Sequence, residues 1–260
     1  MANRSPKRKF IEQNDGGIKS KQSNKTISDA PLTRLHTQAI LNCLYNFNPI
    51  LSNLLYMQSL TGLRFSDCRE LILSDFKTSN GEFRKSFIVY QIKLYNSAMT
   101  RIENHPDKSA WSEDKKVEAA KRASKHTVLI TEKAKEVVED CVRLNPNISQ
   151  GGYLFENRHH FSNGNPISNE YANRILKGRK LKEALKTELL GQEYRFAGIE
   201  SIDTTRLGTH SFRKDGSQRL IENNANPVEV QKFLGQRTLD STSHYVVARE
   251  QIMRDLVEKL

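Results

Sequence analysis

Residues 209–213, Thr-His-Ser-Phe-Arg, carry the strongest indication of fold and chemistry in this chain of 260 residues. Their histidine and arginine are three residues apart, so a helix would place both side chains on one face. An arginine fork can bind two phosphate oxygens at once, and histidine is well suited to moving protons near neutral pH. Such pairs are also common as ordinary surface residues of helices. The meaning of this segment therefore depends on what accompanies it.

Three further features accompany this segment in a fixed order. Residues 61–64, Thr-Gly-Leu-Arg, lie upstream and place an arginine at the start of a predicted helix. Backbone N–H groups at a helix start favour an anion. Residues 234–236, Leu-Gly-Gln, lie downstream, with Gln236 26 residues after His210. Tyr245 then follows Gln236 after nine residues.

Taken together, these segments resemble the catalytic domain of tyrosine recombinases, the phage integrase family. The Thr-Gly-Leu-Arg segment resembles the first box of that family, in which a small polar residue and an acid follow, here Ser66 and Asp67. The His-Ser-Phe-Arg segment resembles the second box, with Phe212 in place of the usual leucine. The Leu-Gly-Gln segment resembles its Leu-Gly-His or Leu-Gly-Trp motif, and the spacing to Tyr245 is also typical. The resemblance covers residues 32–247.

The resemblance implies a role for each matching residue. Tyr245 is the nucleophile that attacks a DNA phosphodiester, leaving a 3′-phosphotyrosyl link and a free 5′-hydroxyl. Arg64 and Arg213 bind the non-bridging oxygens and stabilise the charge of the transition state. His210 assists proton movement at the tyrosine hydroxyl, whose reference pKa of about 10 makes it a poor nucleophile unaided. Because the covalent intermediate keeps the bond energy, no metal, nucleotide or other cofactor is expected.

The family also uses a lysine on a β-hairpin to protonate the leaving 5′-oxygen. Lys93 is the preferred candidate, since residues 91–93, Gln-Ile-Lys, resemble the Gln-x-Lys at the end of the first strand in many integrases. Lys125, just before the returning strand, is the alternative. The long segment between the two strands blurs the register of the hairpin, so both lysines stay open.

Two features depart from the family pattern. Gln236 occupies a position that is normally histidine or tryptophan. Its amide can donate a hydrogen bond to a phosphate oxygen but cannot carry a proton. Family members also generally have an N-terminal core-binding domain that completes a clamp around the DNA. Only about 30 residues precede the resemblance here, so the sequence predicts a catalytic domain that lacks this second domain.

Charge and composition favour the same kind of ligand. The chain has 41 Lys and Arg against 30 Asp and Glu, a net charge of +11, which favours a phosphate-rich partner. The three widely spaced cysteines exclude a disulfide framework and a Cys-based zinc site, and they fit a cytoplasmic protein. No apolar run approaches the roughly 18 residues of a membrane span, and the basic N-terminus has no secretory signal. Nucleotide-binding loops and zinc-protease motifs are also missing.

Hydrophobic spacing predicts a mainly α fold with a small β-sheet. Helices are predicted from Pro31 to residue 47, at 49–60, from Ser66 through Cys68, Leu71 and Ile72, and at 131–144, 168–189, 211–223, 227–234 and 238–260. Strands are predicted at 87–93 and 126–130. The polar segment 94–124 between the strands is too long for a turn, so it is interpreted as an insertion that is either functional or mobile.

The sequence predicts three parts of the chain: a disordered basic arm (1–30), a catalytic domain (31–247) and a C-terminal helix (248–260). The apolar spacing of that helix suits packing on its own domain or on a neighbouring protomer. The predicted DNA contacts are basic side chains of the arm and of the helix at 168–189: Lys7, Arg8, Lys9, Arg174, Lys177, Arg179 and Lys180.

The resulting hypothesis is a recombinase or integrase of a phage or other mobile genetic element, acting on double-stranded DNA as a homo-oligomer. A second recombinase or a host DNA-binding protein is a candidate helper. Three alternatives stay open: an accessory DNA-binding protein with a weakened active site, a telomere resolvase or type IB topoisomerase, and a basic nucleic-acid-binding module that needs no tyrosine. A trapped covalent adduct excludes the first and third, and product topology identifies the second.

Overall fold

The structure is a computed structural model that describes residues 28–158 and 162–238. Nearly all of the predicted basic arm and the whole of the predicted C-terminal helix lie outside the described residues. In the described part, contacts group into two compact units. The smaller unit comprises residues 88–127, and the larger comprises residues 28–87 together with those from 128 onward.

Twelve helices and two strands occur in the described ranges. The helices are α1 (Arg34–Phe47), α2 (Pro49–Thr61), α3 (Phe65–Cys68), α4 (Leu73–Phe76), α5 (Ile92–Glu103), α6 (Glu113–Ser124), α7 (Glu132–Leu144), α8 (Asn169–Leu176), α9 (Arg179–Glu188), α10 (Gln192–Phe196), α11 (Ser211–Glu222) and α12 (Pro227–Leu234). The strands β1 (Ser86–Tyr90) and β2 (Lys125–Leu129) form a two-stranded sheet. The predicted mainly α fold with a small β-sheet is confirmed.

Local capping signals set the ends of α2 and α12 in the same way. An asparagine side chain, Asn48 or Asn226, accepts a backbone N–H of the first turn, and a proline occupies the first helical position. A glycine in the left-handed region, Gly62 or Gly235, ends each helix. Because these signals are local, the predicted helices at 49–60 and 227–234 agree with the structure.

Three predicted elements differ from the structure. The helix expected from Ser66 through Ile72 ends at Cys68, because Ile72 is extended and is the N-cap of α4. The single helix expected at 168–189 is divided into α8 and α9, because the chain is extended at Gly178, which precedes the first turn of α9. The strand expected at 87–93 ends at Tyr90, because Gln91 is the N-cap of α5. As a result Lys93 lies in the first turn of a helix and not at the end of a strand.

The core of the larger unit is centred on α2. Leu51, Leu54, Leu55 and Met57 of this helix are fully buried, and α1, α7 and α11 pack against it. The approach of α11 depends on Gly216, where an added Cβ would collide with a backbone carbonyl oxygen of α2. Only glycine allows this close contact, which brings the His-Ser-Phe-Arg segment at the start of α11 beside the end of α2.

The smaller unit consists mainly of a helical hairpin, α5 and α6, which lies between β1 and β2 in the chain. Four residues at helical spacing on α5 are buried against α6: Tyr95, Ala98, Met99 and Ile102. Ala120 completes this small core, and Trp111 of the connecting segment packs on its edge. The two helices were not predicted, although the apolar spacing of α5 is a local signal for the first of them.

Candidate active site

Arg213 is the point at which the segments singled out in the sequence meet. One terminal nitrogen of its guanidinium donates to the carbonyl oxygen of Gly62, and the other donates to the carbonyl oxygen of Leu234 at 3.0 Å. The side chain is fully buried, with 0% of its surface exposed. A buried cation requires such acceptors to offset its loss of hydration. All three segments, although distant in the chain, therefore converge on one guanidinium.

The Thr-Gly-Leu-Arg segment forms the turn between α2 and α3. Gly62 has a φ of +65°, and an added Cβ would lie 2.6 Å from a ring carbon of Phe233 on α12. Glycine is therefore required both by the backbone conformation and by the packing of α12. Arg64 follows as the N-cap of α3, and its side chain is half-buried in the same unit as Arg213.

His210 and Arg213 differ in exposure although they are three residues apart. His210 is the N-cap residue of α11 and is exposed, whereas Arg213 lies inside the unit. The turn before the helix is held by Ser211, whose hydroxyl accepts the Gly208 N–H at 3.0 Å. The two family residues of this segment thus lie in different environments, with the imidazole at the surface and the guanidinium enclosed by the protein.

Gln236 lies at the end of the Leu-Gly-Gln segment and is half-buried. Its backbone N–H donates to the Gln231 carbonyl at 3.0 Å, directly after the left-handed turn at Gly235. Gln236 lies two positions after Leu234, whose carbonyl oxygen accepts a hydrogen bond from the Arg213 guanidinium. The role predicted for the Gln236 side chain stays a prediction.

Both candidate lysines belong to the smaller unit and are exposed. Lys93 is on the first turn of α5, and Lys125 is the first residue of β2. Tyr245, the predicted nucleophile, lies outside the described residues. The structure therefore brings together Gly62, Arg213 and Leu234. The catalytic roles of the two lysines and of Tyr245 stay predictions from the sequence.

The described members of the predicted DNA contacts are all exposed, on or between α8 and α9. The Arg174 guanidinium lies 5.3 Å from the centre of the Tyr171 ring, and the Lys180 ammonium lies 4.6 Å from that of Phe47. Arg179 is 3.3 Å from the Glu183 carboxylate, and Lys177 follows the last turn of α8. Lys7, Arg8 and Lys9 lie outside the described residues.

Asp215 supports this site and is absent from the sequence-predicted set. The residue is 2% exposed, and its carboxylate accepts hydrogen bonds from the hydroxyls of Thr37 at 2.7 Å and Ser59 at 2.6 Å. It also accepts one from the Arg219 Nε at 3.0 Å. One carboxylate thereby joins α1, α2 and α11, two residues after Arg213. In the sequence, the only local feature that indicates a role for Asp215 is its spacing of four residues from Arg219, which places an acid and a base on one face of a helix.

Asp215→Ala is expected to lower the free energy of unfolding by about 2–4 kcal/mol, because two hydroxyls and a partly buried guanidinium lose a charged acceptor. Urea denaturation of the full chain measures this change. Glu183→Ala is the matched control, since it removes a carboxylate from an exposed ion pair, where about 0–1 kcal/mol is typical. Equal effects of the two substitutions would contradict the importance of the Asp215 network.

The three cysteines are buried and supply no thiolate near neutral pH. Burial raises the pKa of the Cys43 thiol to about 11 and that of the Cys141 thiol to about 12. Burial likewise raises the pKa of the Cys68 thiol well above its ordinary value.

Within residues 28–158 and 162–238, no group of three or more His, Cys, Asp or Glu is placed to hold a metal ion. None of the described helices is long and apolar enough to cross a membrane.

The fold and the convergence on Arg213 define a tyrosine recombinase catalytic domain. The chain belongs to the phage integrase family, whose family model matches residues 32–251. Among solved structures, the XerA recombinase has a TM-score of 0.55 at 12% identity, over 89% of this chain and 64% of that one. The chain thus spans less than two thirds of the XerA recombinase.

A second solved relative is the Tn1549 transposon integrase. Its complex with transposon right end DNA has a TM-score of 0.55 at 17% identity, over 95% of this chain and 70% of that one. Its complex with a circular intermediate DNA has a TM-score of 0.53 at 18% identity, over 92% and 68%. No curated protein matches the chain. At these identities the likeness shows the fold.

Proposed function

We propose that the protein is a site-specific DNA recombinase or integrase that cuts and rejoins double-stranded DNA through a 3′-phosphotyrosyl intermediate. The observation that carries the proposal is the convergence of the three family segments on the buried Arg213. A net charge of +11 suits a polyanionic substrate. Family members with this fold include an integrase solved in complex with transposon DNA.

The proposed chemistry is two successive transesterifications. The Tyr245 oxygen attacks the phosphorus, the bond from phosphorus to the 5′-oxygen breaks, and the 5′-oxygen takes a proton. In the second step a 5′-hydroxyl attacks the phosphotyrosine and releases the tyrosine. His210 is proposed to exchange the proton of the tyrosine hydroxyl. One phosphodiester is exchanged for another, so the reaction is balanced without a further reactant.

Arg213 and Arg64 are proposed to stabilise the charge that develops on the phosphate. Arginine has five N–H donors in a rigid plane, and two backbone carbonyls fix the plane of the Arg213 guanidinium. A donor that is already held in place by the protein needs no reorganisation when the transition state forms. This preorganisation is the proposed purpose of burying Arg213 at the junction of α2, α11 and α12.

A suicide duplex with a nick near the cleavage site tests the proposal directly. Candidate sites are taken from DNA that flanks the gene, and covalent adducts are detected on a denaturing gel. An adduct supports the recombinase and excludes a plain nucleic-acid-binding module. Product topology then separates a recombinase from a telomere resolvase or a type IB topoisomerase. No adduct with any flanking site would instead favour an accessory DNA-binding protein, for which Gln236 in place of histidine or tryptophan is the supporting feature.

Assembly and further partners belong to the same proposal. We infer that the protein acts as a homo-oligomer on DNA, through the predicted C-terminal helix at 248–260, which lies outside the described residues. A second recombinase or a host DNA-binding protein is the proposed helper. The proposed location of the protein is the cytoplasm, where it associates with DNA.

Lys93→Ala is expected to slow cleavage far more than Lys125→Ala, because Lys93 is the proposed donor to the leaving 5′-oxygen. A duplex with sulfur at the bridging 5′ position should restore the rate only for the variant that lost this donor, since a thiolate leaves without a proton. Single-turnover cleavage measures both effects, and the two lysines serve as controls for each other. Rescue of Lys125→Ala alone would assign the role to Lys125.

Gln236→His is expected to preserve or raise the rate of cleavage, because it restores a donor that the family normally has at this position. The measurement is single-turnover cleavage of the suicide duplex. Gln231→His is a suitable control, since Gln231 is half-buried one turn earlier and belongs to none of the three segments. A rate more than about tenfold below that of the unmodified chain would mean that the site is built around the amide.

A further inference from the structure

One exposed face of α5, here called the α5 polar face, has an unusual composition. Its members recur at helical spacing and are all exposed: Lys93, Asn96, Ser97, Thr100, Arg101 and Asn104. The opposite side of α5 is buried against α6. The hairpin core therefore holds this helix in place and turns the α5 polar face to solvent.

Every side chain of the α5 polar face can donate a hydrogen bond, and two of them are cationic. Arginine and lysine pair with guanine or with phosphate, asparagine pairs with adenine, and serine or threonine contacts either base or backbone. Glu103, the single carboxylate of α5, is half-buried at the edge of this face. The α5 polar face thus contains the residue types that contact DNA and lacks an exposed acid to repel phosphate.

The exposed side of α6 provides a contrast within the same hairpin. Its charges are mixed and largely neutralise one another. The exposed Glu113 carboxylate is 3.0 Å from the ammonium of Lys116, whose side chain is largely buried, and the exposed Arg122 is 3.5 Å from the Glu118 carboxylate. In the described parts of the chain, neither Lys93 nor Arg101 takes part in an ion pair. The exposed side of α6 is an ordinary solvated surface, whereas the α5 polar face keeps its positive charge.

Local hydrogen bonds also organise the α5 polar face. The Arg101 Nε donates to the Ser97 carbonyl at 3.2 Å, and the Thr100 hydroxyl donates to the Asn96 carbonyl at 3.0 Å. These bonds hold both side chains along the exposed surface of the helix. Less side-chain entropy is then lost when a ligand binds.

The composition favours duplex DNA over a protein partner. Protein interfaces depend on buried aromatic or apolar anchors, and the α5 polar face offers none. An α-helix fits the major groove, which is about 12 Å wide, but not the narrower minor groove. The 12 residues of α5 span about 18 Å. That length matches about five base pairs at roughly 3.4 Å each.

We propose that the α5 polar face enters the major groove of the DNA substrate through the residues from Asn96 onward, which leaves Lys93 at the start of the helix for the leaving 5′-oxygen, and that it reads a block of up to about five base pairs. This inference rests on the proposed function, because it assigns a second contact to the same DNA. Asn96 and Arg101 are the residues expected to contribute most to specificity, since each can make a bidentate contact with one base. The helical insertion is then a specificity element.

Selection from a library of random 30-base-pair duplexes tests the inference with the full chain. The unmodified protein is expected to enrich one sequence motif. Asn96→Ala and Arg101→Ala are each expected to relax one or two positions of that motif and to weaken binding to the enriched duplex about 5- to 100-fold. Arg122→Ala, the same change on the exposed side of α6, is the matched control and should leave the motif unchanged.

The outcomes distinguish this inference from the proposed function. A motif and an affinity that survive both Asn96→Ala and Arg101→Ala would overturn the inference alone, as would equal changes in Arg122→Ala. An unmodified chain that enriches no duplex and forms no covalent adduct would overturn the proposed function as well. Circular dichroism and thermal melting check that the variants are folded, which is expected because all three side chains are exposed.

Discussion

Tyr245→Phe is expected to abolish the covalent protein–DNA adduct while DNA binding stays nearly unchanged. The substitution removes one hydroxyl oxygen, the proposed nucleophile, and almost no contact area. No other group can replace it in the same position, so the loss should reach the detection limit of the assay. Adduct formation on the suicide duplex is measured on a denaturing gel. Binding to the same duplex is measured by gel-shift titration.

Tyr171→Phe provides the matched control for this experiment. Like Tyr245→Phe, this substitution removes one tyrosine hydroxyl. The Tyr171 hydroxyl accepts a hydrogen bond from the Asn48 side chain at 3.1 Å and has no proposed role in cleavage. This variant is expected to form the adduct at a normal rate. An adduct that persists in Tyr245→Phe would place the nucleophile on another residue, and an adduct lost in both variants would point to a general defect.

Arg213→Ala is expected to slow cleavage by at least about 10²–10³-fold, since removal of one preorganised donor to a charged transition state typically costs that much. The substitution should also lower the free energy of unfolding by about 2–5 kcal/mol, because two buried carbonyl acceptors lose their donor and a fully buried side chain is removed. Single-turnover cleavage and urea denaturation measure the two effects. Arg195→Ala, which removes an exposed arginine of α10, should change neither.

Two further variants separate chemistry from folding at this site. Arg213→Lys keeps the charge, but a single ammonium cannot replace the planar fork that donates to both the Gly62 and the Leu234 carbonyls. Arg64→Ala removes a half-buried side chain and should reduce cleavage with a smaller loss of stability. If cleavage by fully folded Arg213→Lys and Arg64→Ala were near normal, the proposed pair of phosphate-binding arginines would be wrong.

Much of the fold could be predicted from the sequence, because the residues that begin and end a helix act on neighbours only a few positions away. Both α2 and α12 begin at an asparagine cap followed by a proline and end at a glycine, Gly62 or Gly235. Each of these residues lies within one turn of the helix end that it determines. The same dependence on neighbouring residues explains two of the misassigned elements. The cap at Gln91 and the break at Gly178 have no strong side-chain signal, since neither makes a side-chain capping bond.

The candidate site was predicted only as a set of segments, and the tertiary structure decided how they meet. The contact between Arg213 and Gly62 joins residues 151 positions apart, and that with Leu234 joins residues 21 positions apart. Asp215 likewise connects helices that are distant in the chain. The sequence determined the residue types, the caps and the helical spacing, which depend on neighbouring residues. Burial of Arg213 depends on the packing of α2, α11 and α12, because only their combined carbonyls and apolar surfaces enclose that guanidinium.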